Sequence, residues 1–176
     1  MGLILKDTVS SSAEIALWEI SPLPLEELMK NLSLPEEEKS DIFNLKNERR
    51  KKEILATKLL IQELLGKEAG VFYDKNGKPH LKNSNAHFSL SHSGKYVAAI
   101  IDQKKSTGID IQKITFKVIR IKEKFLSMKE MESIPDRQNF IEILHVYWGV
   151  KECIFKEQGE GNIIFSQNIL VEPFYF

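Results

Sequence analysis

The feature that most constrains this chain is a double change of hydrophobic period. Over residues 46–65, Ile54, Leu55, Leu59, Ile61, Leu64 and Leu65 make an apolar stripe at helical spacing, and Gly66 follows as a suitable C-terminal cap. From Val71 the pattern becomes short strand-like runs at 71–73, up to Leu81, at 86–90, at 96–101 and at 108–111, with Asp74-Lys75-Asn76-Gly77 as a hairpin turn. Helical spacing then returns. Ser127 and Glu130 form a capping-box pair, and Asp136 is a cap for a helix over 137–158 that Gly159 and Gly161 would stop. Ahead of the long helix, residues 14–20 read as a strand and 25–32 as a short helix, while Ser33 and Glu36 form a second capping-box pair for a helix starting near Pro35. Residues 163–176 alternate enough for one or two strands. Strands gathered between helical blocks predict an α+β fold.

At 176 residues the chain has room for one domain or two small lobes sharing a core, and no staple of metal or disulfide is needed to stabilise it. Its 25 Lys and Arg balance 25 Asp and Glu, so no global field holds it to nucleic acid or an acidic membrane. Any anion binding is therefore local. From Lys46 to Lys58, six cations (Lys46, Arg49, Arg50, Lys51, Lys52, Lys58) face only Glu48 and Glu53, a concentration of positive charge in a neutral chain. A basic-helix module for RNA would use this segment alone, without an aromatic stacking platform and without explaining anything further along. Lys6 and Asp7 interrupt the apolar start at 2–5, so no secretory leader is expected. Cys153 is the only cysteine, and the longest uncharged apolar run, 96–101, is far too short to span a bilayer. A soluble protein of the reducing cytoplasm is the expectation.

Four short segments carry side chains that strands and helices do not need for packing. Gly77-Lys78-Pro79 presents a lysine on a stiffened turn, which by itself is most simply a solvated loop charge. In His87-Phe88-Ser89-Leu90-Ser91-His92-Ser93-Gly94, alternation puts His92 on one face with Leu90 and Phe88, and Ser91 on the other. A serine hydrolase is disfavoured there, because adjacent Ser91 and His92 do not place a base beside its nucleophile and no nucleophile elbow surrounds them. Gly108-Ile109-Asp110-Ile111-Gln112 sets a carboxylate in an apolar strand-like run, where it must be paired, hydrogen-bonded or bound to metal, or else cap the following turn. On Trp148-Gly149-Val150-Lys151-Glu152-Cys153-Ile154-Phe155-Lys156, residues 148, 152 and 156 share one helix face. Singly, Glu152 and Lys156 read as a surface ion pair, and Cys153 as a small buried filler.

In this order and spacing the four segments resemble the 4'-phosphopantetheinyl transferases of the surfactin-synthetase-activating type, over about residues 49–161. The resemblance implies two similar α+β lobes, here 1–104 and 105–176 with the second shortened, and a site between them. It implies an enzyme that transfers the phosphopantetheine arm of coenzyme A to a serine of an apo acyl or peptidyl carrier protein, with magnesium, releasing adenosine 3',5'-bisphosphate. Fatty-acid, polyketide or nonribosomal peptide synthesis would be served by such a transfer. It makes Asp110 and Glu152 magnesium ligands, with Glu152 also the base toward the carrier serine and Gln112 a third, neutral oxygen donor. Lys156 would lie by the pyrophosphate, while Lys78, Pro79, Ser91 and His92 would line the nucleotide, helped by Lys52 from the basic cluster.

The residue types suit that chemistry. Attack of an alcohol on a pyrophosphate develops charge on phosphoryl oxygens, which a metal, cations and alignment stabilise. Magnesium accepts one or two carboxylates together with substrate phosphates. Family members commonly carry an acid where this chain has Gln112, so weaker magnesium binding is expected, tightened by Gln112→Glu. A catalytically weak relative that only binds coenzyme A or a carrier is the alternative. The apolar end, Val171-Glu172-Pro173-Phe174-Tyr175-Phe176, is expected to pack on its own lobe or, through a C-terminal strand, on a second copy.

Overall fold

The computed structural model describes residues 2–20, 24–66, 70–134, 139–159 and 161–174. Strands β1 (Leu3–Thr8), β2 (Ala13–Glu19), β5 (His87–Ser93) and β6 (Tyr96–Asp102) form one antiparallel sheet in the order β1-β2-β6-β5, and β3 (Val71–Tyr73) pairs with β4 (Pro79–Leu81) as a hairpin. Helices α1 (Leu25–Met29), α2 (Glu36–Asn44) and α3 (Glu48–Leu65) lie among these strands in the chain, and α4 (Lys117–Phe125), α5 (Met128–Ser133), α6 (Phe140–Gln158) and α7 (Phe165–Asn168) follow them. The molecule is α+β.

The period-2 pattern sorts the sheet into two faces. Ala16, Phe88, Val97, Ala99 and Ile101 bury one face against Ala56, Leu60, Ile61 and Leu64 of α3. The other side of α3, through Leu55 and Leu59, packs on Leu25, Leu28, Leu32, Leu34 and Ile42. Asn47 caps α3 by accepting from the Arg50 amide, and Gly66 ends it at φ 65°, a left-handed conformation suited to glycine. The expected Ser33 capping box is not the start of α2: its N-cap is Pro35, with no side-chain cap bond. Proline at that position has no side-chain oxygen to accept from the first-turn amides. β1 escaped the sequence reading because all six of its residues are exposed, which leaves no burial alternation to detect.

The run 108–111 is extended but is not a strand of either sheet. Its alternate amides instead reach across to side chains of β5. Ile109 N donates to Ser89 Oγ (3.2 Å), Ile111 N to Ser91 Oγ (3.2 Å) and Lys113 N to Ser93 Oγ (3.1 Å). Three hydroxyls on the second sheet face therefore replace the carbonyl ladder of a neighbouring strand. Apolar alternation cannot distinguish these two kinds of partner.

A third core, Val118, Phe125, Leu126, Ile134, Leu144 and Tyr147, lies among α4, α5 and α6, with Val171 and Phe174 packed against it. At its centre is a fully buried lysine. Lys151 Nζ donates to Glu130 Oε2 (2.8 Å) and to the carbonyls of Phe125 (2.7 Å), Phe165 (3.1 Å) and Ile169 (2.8 Å). Glu130 closes the expected capping box with Ser127 and also accepts from Val171 N at 2.8 Å. The chain after Ile163 is thus α7 and irregular backbone through Phe174, and the expected C-terminal strand is not formed among the described residues. Its backbone is held by the Lys151–Glu130 pair rather than by a sheet edge, so a dimer through such a strand has no basis there. The Asp136 cap lies outside the described residues, and α6 is described from Phe140. Among the described helices none is long and apolar enough to cross a membrane.

Removing Lys151 would strand a buried carboxylate. Lys151→Ala is expected to cost about 3–5 kcal/mol in urea unfolding, against about 0–1 kcal/mol for surface Lys39→Ala. Burial raises the Glu130 pKa, but the Lys151 ammonium and the Ser127 and Val171 amides outweigh it and hold the carboxyl below its ordinary 4.5. A lowered acid stabilises the fold above its unfolded pKa, and that contribution is lost as pH falls through the folded value. Acid unfolding followed by circular dichroism is therefore expected to steepen below pH 4.5, with that limb flattened in Glu130→Gln.

Candidate active site

The serine ladder decides where Asp110 points. Held between the bonds at Ile109 and Ile111, its carboxylate accepts from Ser91 Oγ at 3.0 Å. Lys156, reaching from α6, donates to Asp110 Oδ1 (2.7 Å), Ser91 Oγ (3.0 Å) and the Ile109 carbonyl (3.0 Å). The acid in the apolar run is paired, as its burial requires, and only 9% of its side chain stays exposed. The helix-spacing reading of Glu152 and Lys156 as mutual partners gives way to this longer-range pair. Lys156 is bonded to Asp110, 46 residues away, because the extended segment lies against the same face of α6.

Two glycines permit that approach. A Cβ at Gly108 would overlap the carbonyl oxygen of Cys153, so the extended segment meets the α6 backbone directly. One turn earlier, Gly149 faces both Gln112 Nε2 and Asp110 Oδ2, at 3.5 Å and 3.9 Å from the place its Cβ would take. Gln112 spends its amide nitrogen on the His145 carbonyl (3.1 Å), and the His145 ring accepts from Thr115 N (2.9 Å). That donation fixes the Gln112 amide and leaves its oxygen as the available acceptor. A glutamate at 112 would set a carboxylate against the His145 carbonyl, so the added charge competes with loss of this brace.

Glu152 is half-buried. Burial raises its pKa, and the Asp110 charge raises it further against a smaller opposing effect of Lys156. Burial likewise pushes the Cys153 thiol up, with Asp110 adding to the effect, which suits a filler rather than a nucleophile. Among the described residues no group of three or more His, Cys, Asp and Glu side chains is arranged to hold a metal ion.

On one side of α6 lies a cleft of about 480 Å³, with Arg50, Thr57 and Lys58 of α3, Lys78 and Pro79 of the hairpin, His92 of β5, and Phe155 and Lys156 on its walls. Adjoining it along the same face of α6, a groove of about 530 Å³ runs along Ile121, Lys124, Trp148, Glu152, Phe155 and Phe165. Phe155 borders both. Glu152 opens to the groove and Lys156 to the cleft, one helical turn apart.

Of the expected residues, Asp110, Gln112, Glu152 and Lys156 come together with Ser91, and Lys78, Pro79 and His92 line the adjoining cleft. Lys52 is not on that wall. The stripe of α3 that faces the cleft runs through Arg50, Ile54, Thr57 and Lys58, and Lys52 lies about 200° around the helix from Arg50. Helical geometry applied to the basic cluster could have chosen Arg50 and Lys58. These cations are already engaged: Arg50 pairs with Glu53 (3.4 Å) and Lys58 with Glu38 of α2 (2.5 Å). Nothing local in the sequence signals Glu38.

A raised carboxyl destabilises the fold once ionised, so the penalty is absent below the unfolded pKa and grows as pH rises through the folded one. Glu152→Gln is expected to melt above the wild type at pH 8 in the absence of divalent cation, with the difference vanishing near pH 4 in a scanning fluorimetry series. Gln112→Glu is expected to lose about 1–3 kcal/mol under the same cation-free conditions, read by urea unfolding.

No family model matches the chain. It is 27% identical over 161 residues to a protein of Haemophilus influenzae named putative 4'-phosphopantetheinyl transferase, covering 85% of this chain and 66% of that one. A Bacillus subtilis 4'-phosphopantetheinyl transferase is 33% identical over 90 residues, 48% of this chain and 39% of its own. The Bacillus subtilis strain 168 4'-phosphopantetheinyl transferase Sfp is 32% identical over 88 residues, with the same coverage. The chain thus spans between 39% and 66% of the length of these curated relatives. The chain is thus similar, over about half to most of its length, to proteins named 4'-phosphopantetheinyl transferases.

Proposed function

We propose that this chain carries out, with magnesium, the transfer of 4'-phosphopantetheine from coenzyme A to a serine hydroxyl of an apo acyl or peptidyl carrier protein. The observation that carries the reading is Lys156 on the wall of a cation-lined cleft, bonded to Asp110, with Glu152 one helical turn away on the adjoining groove. Coenzyme A is strongly anionic, and Arg50, Lys58, His92 and Lys156 are the cleft side chains suited to its phosphates. Binding there exchanges the Glu38 and Glu53 carboxylates for phosphate oxygens. Ser91 acts through Asp110, which it orients.

The donor set fits a hard divalent cation. The Asp110 charge opposes ionisation of Glu152, a repulsion that a cation between them would relieve, and the Gln112 oxygen is free to hold a third position or a water. When bound, magnesium would supply charge stabilisation to the pyrophosphate. The carrier serine enters from the groove side and gives its proton to Glu152. Its oxygen forms a bond to the phosphorus that bears pantetheine, and the bond from that phosphorus to the bridging oxygen breaks. Lys156 stands on the cleft side, where the departing adenosine 3',5'-bisphosphate gathers charge. A division into lobes 1–104 and 105–176 would put the serine ladder at their meeting, with α6 in the second. The cytoplasm, where coenzyme A and a reduced Cys153 coexist, is the compartment this chemistry suits.

A binding-only relative is the second reading, and Gln112 favours it, since a neutral amide stands beside only two carboxylates. Incubation of an apo carrier with the chain, coenzyme A and magnesium, followed by intact mass, separates the two. A phosphopantetheine-sized gain that falls by about 10²–10⁴-fold in rate in Glu152→Ala and Asp110→Ala supports the transferase. No gain on several carriers, with coenzyme A still bound by calorimetry, leaves the binder.

A further inference from the structure

The ammonium of Lys78 does not end in the cleft that its residue lines. Its backbone is pinned in the hairpin turn, the amide donating to Asp74 Oδ1 (3.0 Å) and the carbonyl accepting from Asp74 N (3.0 Å). From there the side chain runs to α6 and donates to the Glu157 carbonyl at 2.6 Å. Ser106 Oγ donates to the same oxygen at 2.9 Å. Glu157 belongs to the last turn of α6, whose carbonyls have no partner within the helix and carry the negative end of its dipole. The path exists because residue 159 is glycine. At φ 70° it ends the helix, and a Cβ there would lie 2.5 Å from Lys78 Cδ. Lys78 also divides the main cleft from a second cavity of about 310 Å³ that it lines together with His80, Ser106 and Thr107.

We propose that Lys78 is a positioning residue, a strut that ties the β3–β4 hairpin to the carbonyl end of α6 and thereby sets Lys156, rather than a phosphate ligand of the cleft. The geometry makes the connection short: Lys156 and Glu157 are consecutive, so a shift of the last turn that frees Glu157 also moves the ammonium that holds Asp110 and Ser91. The catalytic half of this inference rests on the transferase reading above, while the structural half does not.

Hydrogen exchange on the ligand-free chain tests the structural half. Lys78→Met is expected to speed exchange of the amides from Phe155 to Gly159 by roughly tenfold, the scale of losing one charged hydrogen bond, with α3 amides unchanged and Lys78→Arg restoring protection. Calorimetry tests the alternative role. Lys78→Met is expected to keep the wild-type ratio of affinities for coenzyme A and 3'-dephospho-coenzyme A, while turnover falls about tenfold with KM for coenzyme A little changed. Unchanged exchange at the end of α6, or collapse of that affinity ratio in Lys78→Met, overturns the strut. If wild-type protein binds neither nucleotide, the transferase reading fails, and the exchange result still decides the role of Lys78.

Discussion

Three hydroxyls on β5 govern how this molecule is put together. Ser89, Ser91 and Ser93 stand on the sheet face turned away from α3, and each accepts one amide from the segment that follows β6. A segment joined to a sheet through carbonyls would extend the sheet sideways. One joined through side-chain oxygens lies over its face, and this brings residues 108–113 between the sheet and α6. Asp110 then projects at the height of Ser91 and Lys156, and Gly108 at that of Cys153. The site needs no loop of its own. It forms where a helix, a bridging segment and a sheet edge are layered, so its geometry is as rigid as the packing beneath it.

Charge in this molecule is arranged in pairs rather than patches. Six cations cluster between Lys46 and Lys58, yet Arg49 and Arg50 face Glu53, Lys51 faces Glu48, and Lys58 faces Glu38. Burying Glu53 beneath two arginines costs little in solvation, since its charge remains compensated. An incoming polyanion therefore meets cations whose orientations are already set by carboxylates, and its affinity is a difference between two sets of ion pairs. Such a difference discriminates by shape, because only an anion that reaches Arg50 and Lys58 together replaces both partners.

Much of this was legible in the sequence where local chemistry and burial agree. The long helix with its glycine stop, the Asp74–Gly77 turn, the alternation that opposes His92 to Ser91, and the Ser127–Glu130 capping box all follow from near neighbours. The site motifs were legible as an ordered set, not one by one: taken alone, Glu152 and Lys156 read as an ordinary surface pair. What escaped was whatever depends on distant partners. β1 is exposed throughout and so carries no alternation, and residues 108–111 alternate like a strand but bond to hydroxyls. The chain after Ile163 alternates too, yet its backbone answers to a lysine ammonium. Periodicity reports which side of a segment is dry and says nothing about which atoms receive its hydrogen bonds.

Lys151 also sets the order in which the C-terminal part can mature. Its four acceptors come from three separate stretches: the end of α4, the first turn of α5 and the segment around α7. Drying an ammonium before all of these have arrived is costly, so α4, α5 and α6 can assemble loosely around a wet lysine while the last stretch is still free. Arrival of Phe165 and Ile169 is then the step that expels water and locks the helix bearing Glu152 and Lys156. Completion of the helix bearing Glu152 and Lys156 is thereby coupled to the segment around α7, which must dock before that helix is locked.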